Sequence, residues 1–143
     1  MFIDSEGSCE VQAQEVLAKA NKAMYMCMSK ARRLCTKCPP SLRALLFKAY
    51  VMPILTYGCE VLTYNVKHLY SMNKLIIKYA RWATGLPRHA CTNAVLREAG
   101  LRPVQYDFLQ ARMNYFLLLQ SREERHVSRL ALADIECRRH TSM

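Results

Sequence analysis

Apolar residues in this chain recur at steps of three and four, and the breaks between those runs carry proline or glycine. Leu17, Ala20, Met24, Cys27, Ala31 and Leu34 fall on one face of a helix. Pro39-Pro40 ends that run, since proline lacks a backbone donor and crowds the preceding turn. Ser41 stands where it can cap the next helix. A second pattern passes through Leu42, Leu45, Leu46, Ala49, Met52 and Pro53 towards Tyr57, and Pro53 well inside it predicts a kink. The third follows Asn65 with Leu69, Met72, Ile76, Tyr79 and Ala83 as its stripe, and Gly85-Leu86-Pro87 stops it. Thr92 can cap a short helix that closes at Gly100. Pro103 suits the first turn of the next, which carries Val104, Phe108, Ala111, Tyr115 and Leu118. A weaker pattern spans 124–136. Four glycines and five prolines in 143 residues are too few for a sandwich of short strands. The fold expected is all-α, a kinked-helix bundle of about five helices with short connections.

Charge is distributed very unevenly over this frame. From Val16 to Arg97 there are fourteen bases and one acid, Glu60, a balance of +13 against +10 for the whole chain. A segment so one-sided repels itself, and a polyanion is the commonest partner that offsets the repulsion. The bases have helical order of their own. At about 100° per residue, Lys19, Lys22, Lys30 and Arg33 lie within roughly 80° of one another, with Met26 among them. Lys67, Lys74, Lys78 and Arg81 share a face of the third helix, with Tyr70 beside them. Solvated faces usually mix both signs, and these do not. Helices with apolar backs and basic fronts suit a phosphate backbone, which sets affinity and register without reading sequence. Trp82, Tyr79 and Tyr57, at helical spacing, read as core aromatics rather than stacking platforms.

Other chemistry finds little support. Cys35-Thr36-Lys37-Cys38 is a lone Cys-x-x-Cys. A structural zinc needs four ligands. His89 and Cys91, or His126, Cys137 and His140, supply no second close spacing, so two thiols at a helix end is the expectation, with no metal site. The seven cysteines are odd in number and no signal peptide is read at Met1, which suggests a reduced, intracellular chain. No nucleophile stands with a positioned base, no carboxylate pair suits two-metal chemistry, and no glycine-rich loop could cradle a phosphate. Neither cofactor nor small-molecule substrate is expected. The longest uncharged run, Ala49 to Cys59, is half of the roughly 20 residues that span a bilayer, so no membrane partner is expected.

The run Pro53-Ile54-Leu55-Thr56-Tyr57-Gly58-Cys59-Glu60, entered from a leucine-rich helix, resembles the region that follows the palm in reverse transcriptases of non-LTR (LINE-type) retrotransposons. Phe2 to Ser8 with Ala20 and Ala23 is similar to the exit from the palm into the thumb. Tyr79 to Pro87, with Trp82 and Gly85, resembles the arginine-bearing helix and its stop, and Val95 to Val104 the segment after it. The four motifs occur in the family's order and cover about residues 2–119. The palm's catalytic aspartates have no counterpart, since Asp-Asp occurs nowhere in the chain.

The resemblance therefore implies a non-catalytic thumb and connector. It would clamp template–primer nucleic acid, RNA or an RNA–DNA duplex, beside the missing palm and fingers of a parent polymerase. Met1 stands where the palm would precede, as in a broken element copy or a truncated gene. The expected organisation is an extended lead-in over 1–10, a thumb-like helical domain over 11–120, and a weak helix and frayed tail over 121–143. Gly58 is expected to admit a neighbouring backbone, and Glu60 to pair with a base or cap the next segment. An inactive relic and a helical adaptor for an acidic protein are the alternative readings.

Overall fold

The computed structural model describes residues 10–34, 38–60, 62 and 64–121. All elements there are helical: α1 (Glu10–Leu34), α2 (Pro40–Tyr50), α3 (Met52–Thr56), α4 (Val66–Thr84), α5 (Thr92–Ala99) and α6 (Val104–Ser121). The all-α bundle with short connections is the observed fold. The lead-in over 1–9, the pair partner Cys35 and the weak helix over 124–136 lie outside the described residues. Glu10, placed in the lead-in by sequence, is the first residue of α1.

The kink at Pro53 is a full break. α2 ends at Tyr50 and α3 starts two residues later, with Val51 between them. Pro53 has no N–H to bond back to the preceding turn. The chain instead restarts with Ile54 and Leu55 both donating to the Val51 carbonyl. Two expected caps are displaced, Ser41 by two residues to Pro39 and Thr92 by one to Cys91. Pro40, not Ser41, opens α2 from Pro39, and Thr92 is the first residue of α5, with Cys91 as its cap position. No side-chain bond closes the first turn of α2. Gly85 ends α4 with φ 72°, its N–H donating to the Arg81 carbonyl.

α4 is the centre of the bundle, packed against α1, α2, α5 and α6. Its buried residues are Met72, Leu75, Ile76, Tyr79, Ala80 and Ala83. α1 buries Ala20, Met24, Cys27 and Ala31, as its period requires, together with Ala13 and Val16. α2 turns a different face inward from the one expected. Ala44, Phe47 and Val51 are buried, while Leu42, Leu45 and Ala49 are exposed. The helix is apolar nearly all round, so period alone does not choose its inner face. The Phe47 ring does, lying 4.5 Å from that of Tyr79. Tyr79 then donates its hydroxyl to the Arg43 carbonyl at 2.8 Å. Arg43 in turn donates to the carbonyls of Trp82 and Ala83 at 3.4 and 3.2 Å, satisfying the last turn of α4.

α6 is held at its start and released at its end. Asn73 of α4 accepts from the Val104 N–H at 2.9 Å and donates to Gln105 at 2.7 Å, capping α6 from a neighbouring helix. Arg112 donates to the carbonyls of Cys59 and Leu62 at 2.9 and 2.8 Å, tying α6 to the turn after α3. Beyond it only Leu119 is buried. Tyr115 and Leu118, expected on the inner stripe, are exposed.

Gly58 takes φ 71° in that turn. A side chain there would meet Leu62 at 3.2 Å and no backbone within 4 Å. Its need is for the left-handed conformation, not for the backbone approach expected from sequence. Glu60 is exposed and forms no ion pair with a described residue. Tyr57, expected in the core, is 70% exposed.

Candidate nucleic-acid interface

The apolar back of α1 faces the bundle, so its basic front faces out. Lys19, Lys22, Lys30 and Arg33 are all exposed. Lys19 is partly neutralised by Glu15 one turn earlier, at 3.3 Å. Lys22 and Arg33 have no carboxylate within salt-bridge distance among the described residues. Lys30 leans the other way, its ammonium 5.3 Å from the ring centroid of Tyr50 at the end of α2.

On α4 the front is formed by Lys67, Lys74 and Lys78, again exposed. Lys74 lies over Tyr70, 4.5 Å from the ring centroid. Lys78 crosses to α1, where its ammonium donates to the Tyr25 hydroxyl at 2.7 Å and lies 5.0 Å from the same ring centroid. This one contact joins the basic fronts of α1 and α4. Arg81 departs from the expected face. It is half-buried, donates to the Ala90 carbonyl at 3.4 Å, and keeps its Nε buried without a hydrogen bond. Its role is to hold the α4–α5 turn.

Trp82 and Gly85 belong to the scaffold. Trp82 is half-buried with its ring centroid 5.2 Å from that of Tyr79, and Arg43 and Arg32 sit 5.1 and 6.0 Å from its ring. Pro53 is exposed at the α2–α3 break. Sequence reasoning missed Tyr25 and Tyr50. Tyr70 and Lys74, four apart on one helix, could have been paired from sequence. Tyr25 and Lys78 are 53 residues apart, and only the packing of α1 beside α4 brings them together.

Elsewhere an open depression of about 630 Å³ is lined by Lys48, Met52, Thr56, Leu101, Arg102 and Asp107. Arg102 and Asp107 are already paired across it, with Nε–Oδ1 at 2.9 Å. Cys91 is exposed at the start of α5, and the N–H groups of Ala94 and Asn93 hold its thiol below the ordinary pKa. Among the described residues no three His, Cys, Asp or Glu side chains are grouped so as to hold a metal ion. No described helix is long and apolar enough to cross a membrane.

Comparison with known protein families, with curated proteins and with solved structures finds no match to this chain.

Proposed function

We propose that this chain is a non-catalytic module that binds nucleic acid, thumb-like in the sense of non-LTR retroelement reverse transcriptases, through one surface made by α1 and α4. The observation that carries the reading is the Lys78–Tyr25 contact, which makes one positive surface from two helix fronts. On that surface Lys22, Lys30, Arg33, Lys67, Lys74 and Lys78 carry no ion pair with a described carboxylate. Ammonium groups not engaged by a described carboxylate are available to neutralise phosphates, which releases the small cations condensed on the nucleic acid, a main source of affinity for a polyanion. The proposed role is to hold nucleic acid, since the resemblance covers the thumb and connector and Asp-Asp occurs nowhere in the sequence. Template–primer is the ligand class that the family resemblance favours.

The test is the salt dependence of binding to an RNA–DNA duplex, read by fluorescence anisotropy. With roughly four to six phosphates contacted, the log–log slope is about −3 to −5. Lys74→Gln with Lys78→Gln flattens it by about two, while Arg125→Gln with Arg138→Gln leaves it unchanged. Arg81 is left in place because it is part of the fold. Equal weakening by both pairs means that charge acts diffusely, and the assigned surface is wrong. An acidic peptide that displaces the duplex at equal charge concentration favours the adaptor reading instead.

A further inference from the structure

Five lysine or arginine side chains lie within 6.0 Å of an aromatic ring centroid among the described residues. Two of them, Arg32 and Arg43 at Trp82, belong to the packing of the α4 end. The other three lie on the proposed interface and have the same construction. Each sets a lysine ammonium against a tyrosine: Lys74 at the Tyr70 ring within α4, Lys78 at the hydroxyl edge of Tyr25 between α4 and α1, and Lys30 at the Tyr50 ring between α1 and α2. All three rings are more than half exposed, Tyr70 at 62% and Tyr25 and Tyr50 at 53% each.

Large aromatic side chains normally bury most of their area, and these do not. A duplex gains little from them, since its bases are stacked on one another and leave no free face for a ring to stack on. An unpaired nucleotide offers both a phosphate and a free base. A tyrosine and a lysine in contact are the complementary pair: the ring stacks on the base and the ammonium shifts from the ring to the phosphate. The units also follow one another at short intervals. Lys74 and Lys78 are one turn apart, about 6 Å along α4. Lys78 reaches Tyr25, and Lys30 lies five residues beyond Tyr25 on α1.

We propose that Tyr70–Lys74, Tyr25–Lys78 and Tyr50–Lys30 form a track for unpaired nucleotides, binding single-stranded RNA or DNA by base stacking and phosphate pairing together. This rests on the nucleic-acid reading above and narrows it: the lysines pair with the phosphates of either form, and the tyrosines make the α4–α1–α2 surface prefer an unpaired strand.

The experiment uses the full chain and three probes of equal length: oligo-dU, the same strand with abasic sites throughout, and a duplex. Oligo-dU binds about tenfold or more tighter than the abasic strand, because the charges are equal and only stacking differs. Tyr50→Leu with Tyr70→Leu removes most of that preference, weakening oligo-dU roughly 10- to 100-fold while abasic binding and the salt slope are unchanged. Tyr50→Phe with Tyr70→Phe keeps the rings and keeps the preference. Circular dichroism verifies that helicity is the same in all variants. Equal binding of oligo-dU and abasic strand, or leucine variants that bind oligo-dU as the parent does, overturns the stacking track and leaves the nucleic-acid reading standing. Absence of salt-dependent binding to all three probes overturns both.

Discussion

α4 and α6 are nearly equal in length, nineteen and eighteen residues, and both are rich in large apolar side chains. One forms the centre of the bundle and the other mostly leaves it. α4 separates its residues cleanly: Met72, Leu75, Ile76, Tyr79 and Ala83 inward, Lys67, Lys74 and Lys78 outward. α6 does not. Its buried residues Val104, Phe108 and Leu119 make a narrow stripe, while Leu109, Met113, Tyr115, Phe116, Leu117 and Leu118 are exposed. What decides whether a helix joins a core is the separation of its two faces, not how apolar it is. The separation in α4 also produces the candidate interface, because a helix with a fully buried back must show a polar front.

The sharpest way to break this comparison is at Tyr79, which is fully buried and holds both Phe47 and the Arg43 carbonyl. Tyr79→Ala empties that site and leaves a buried acceptor without its donor. The expected loss is about 3–5 kcal/mol in urea unfolding. A loss below about 1 kcal/mol would mean that α4 is not the organising helix.

Alkaline pH probes the same residue without removing it. Burial is the first cause that raises the Tyr79 hydroxyl pKa well above its ordinary value near 10, the Cys27 and Cys38 thiols adding to it and Arg43 opposing. The thiols of Cys27 and Cys59 are raised as well, again mainly by burial. A group with its pKa raised on folding stabilises the fold fully below its unfolded pKa and loses that contribution as pH climbs. Stability is therefore level through neutral pH and falls above about pH 10 for tyrosine, somewhat earlier for the thiols. Tyr79→Phe shows a shallower fall above pH 10, together with a loss of about 1 kcal/mol at neutral pH for the missing hydrogen bond. An identical alkaline slope in both proteins would place the titration elsewhere.

The elements were legible in the sequence because their signals are local. Helical period, Pro39-Pro40, Pro53, Gly85 and Gly100 depend on a few neighbouring residues, and the breaks at Pro53, Gly85 and Gly100 fell within a residue or two of their expected places. The face of α2 and the second half of α6 were not legible, whereas Val104, Phe108 and Ala111 of α6 face the core as expected. Both helices are apolar on more than one side, so the inner face is chosen by distant partners, Tyr79 for α2 and Asn73 with the α3 turn for α6. The basic fronts of α1 and α4 were legible for the converse reason, since charge excluded every other face. Arg81 broke the pattern because a guanidinium can lie along a turn and satisfy a carbonyl while its stem is buried. Tyr57 broke it because the chain turns at Gly58 before the ring can reach the core.

Asn73→Ala tests how α6 is attached. Asn73 supplies the cap that no residue next to Val104 provides, so its loss leaves the Val104 N–H without that acceptor. The expected cost is about 1–2 kcal/mol. Hydrogen exchange should quicken in the first turn of α6 and stay unchanged in α4. Uniform acceleration through both helices would mean that they open as one unit and that the contrast between them is superficial.

The smallest effect is expected at the far end of α6, and it is the most informative about the comparison. Leu117 is 56% exposed, with Leu118 exposed beside it. If this half of the helix contributes nothing to the core, Leu117→Gln leaves stability within about 0.5 kcal/mol of the parent. The same exchange at Leu75 of α4, which is buried, costs several times more, since it strands an amide among apolar neighbours. The two substitutions share their chemistry and differ only in the helix that carries them. Urea unfolding at two protein concentrations separates the outcomes. A near-zero value for Leu117→Gln at both concentrations confirms that apolar content without a buried face adds no stability. A loss above about 1 kcal/mol that grows with concentration would mean that a second copy covers this face, and α6 would then be a core helix whose core is shared.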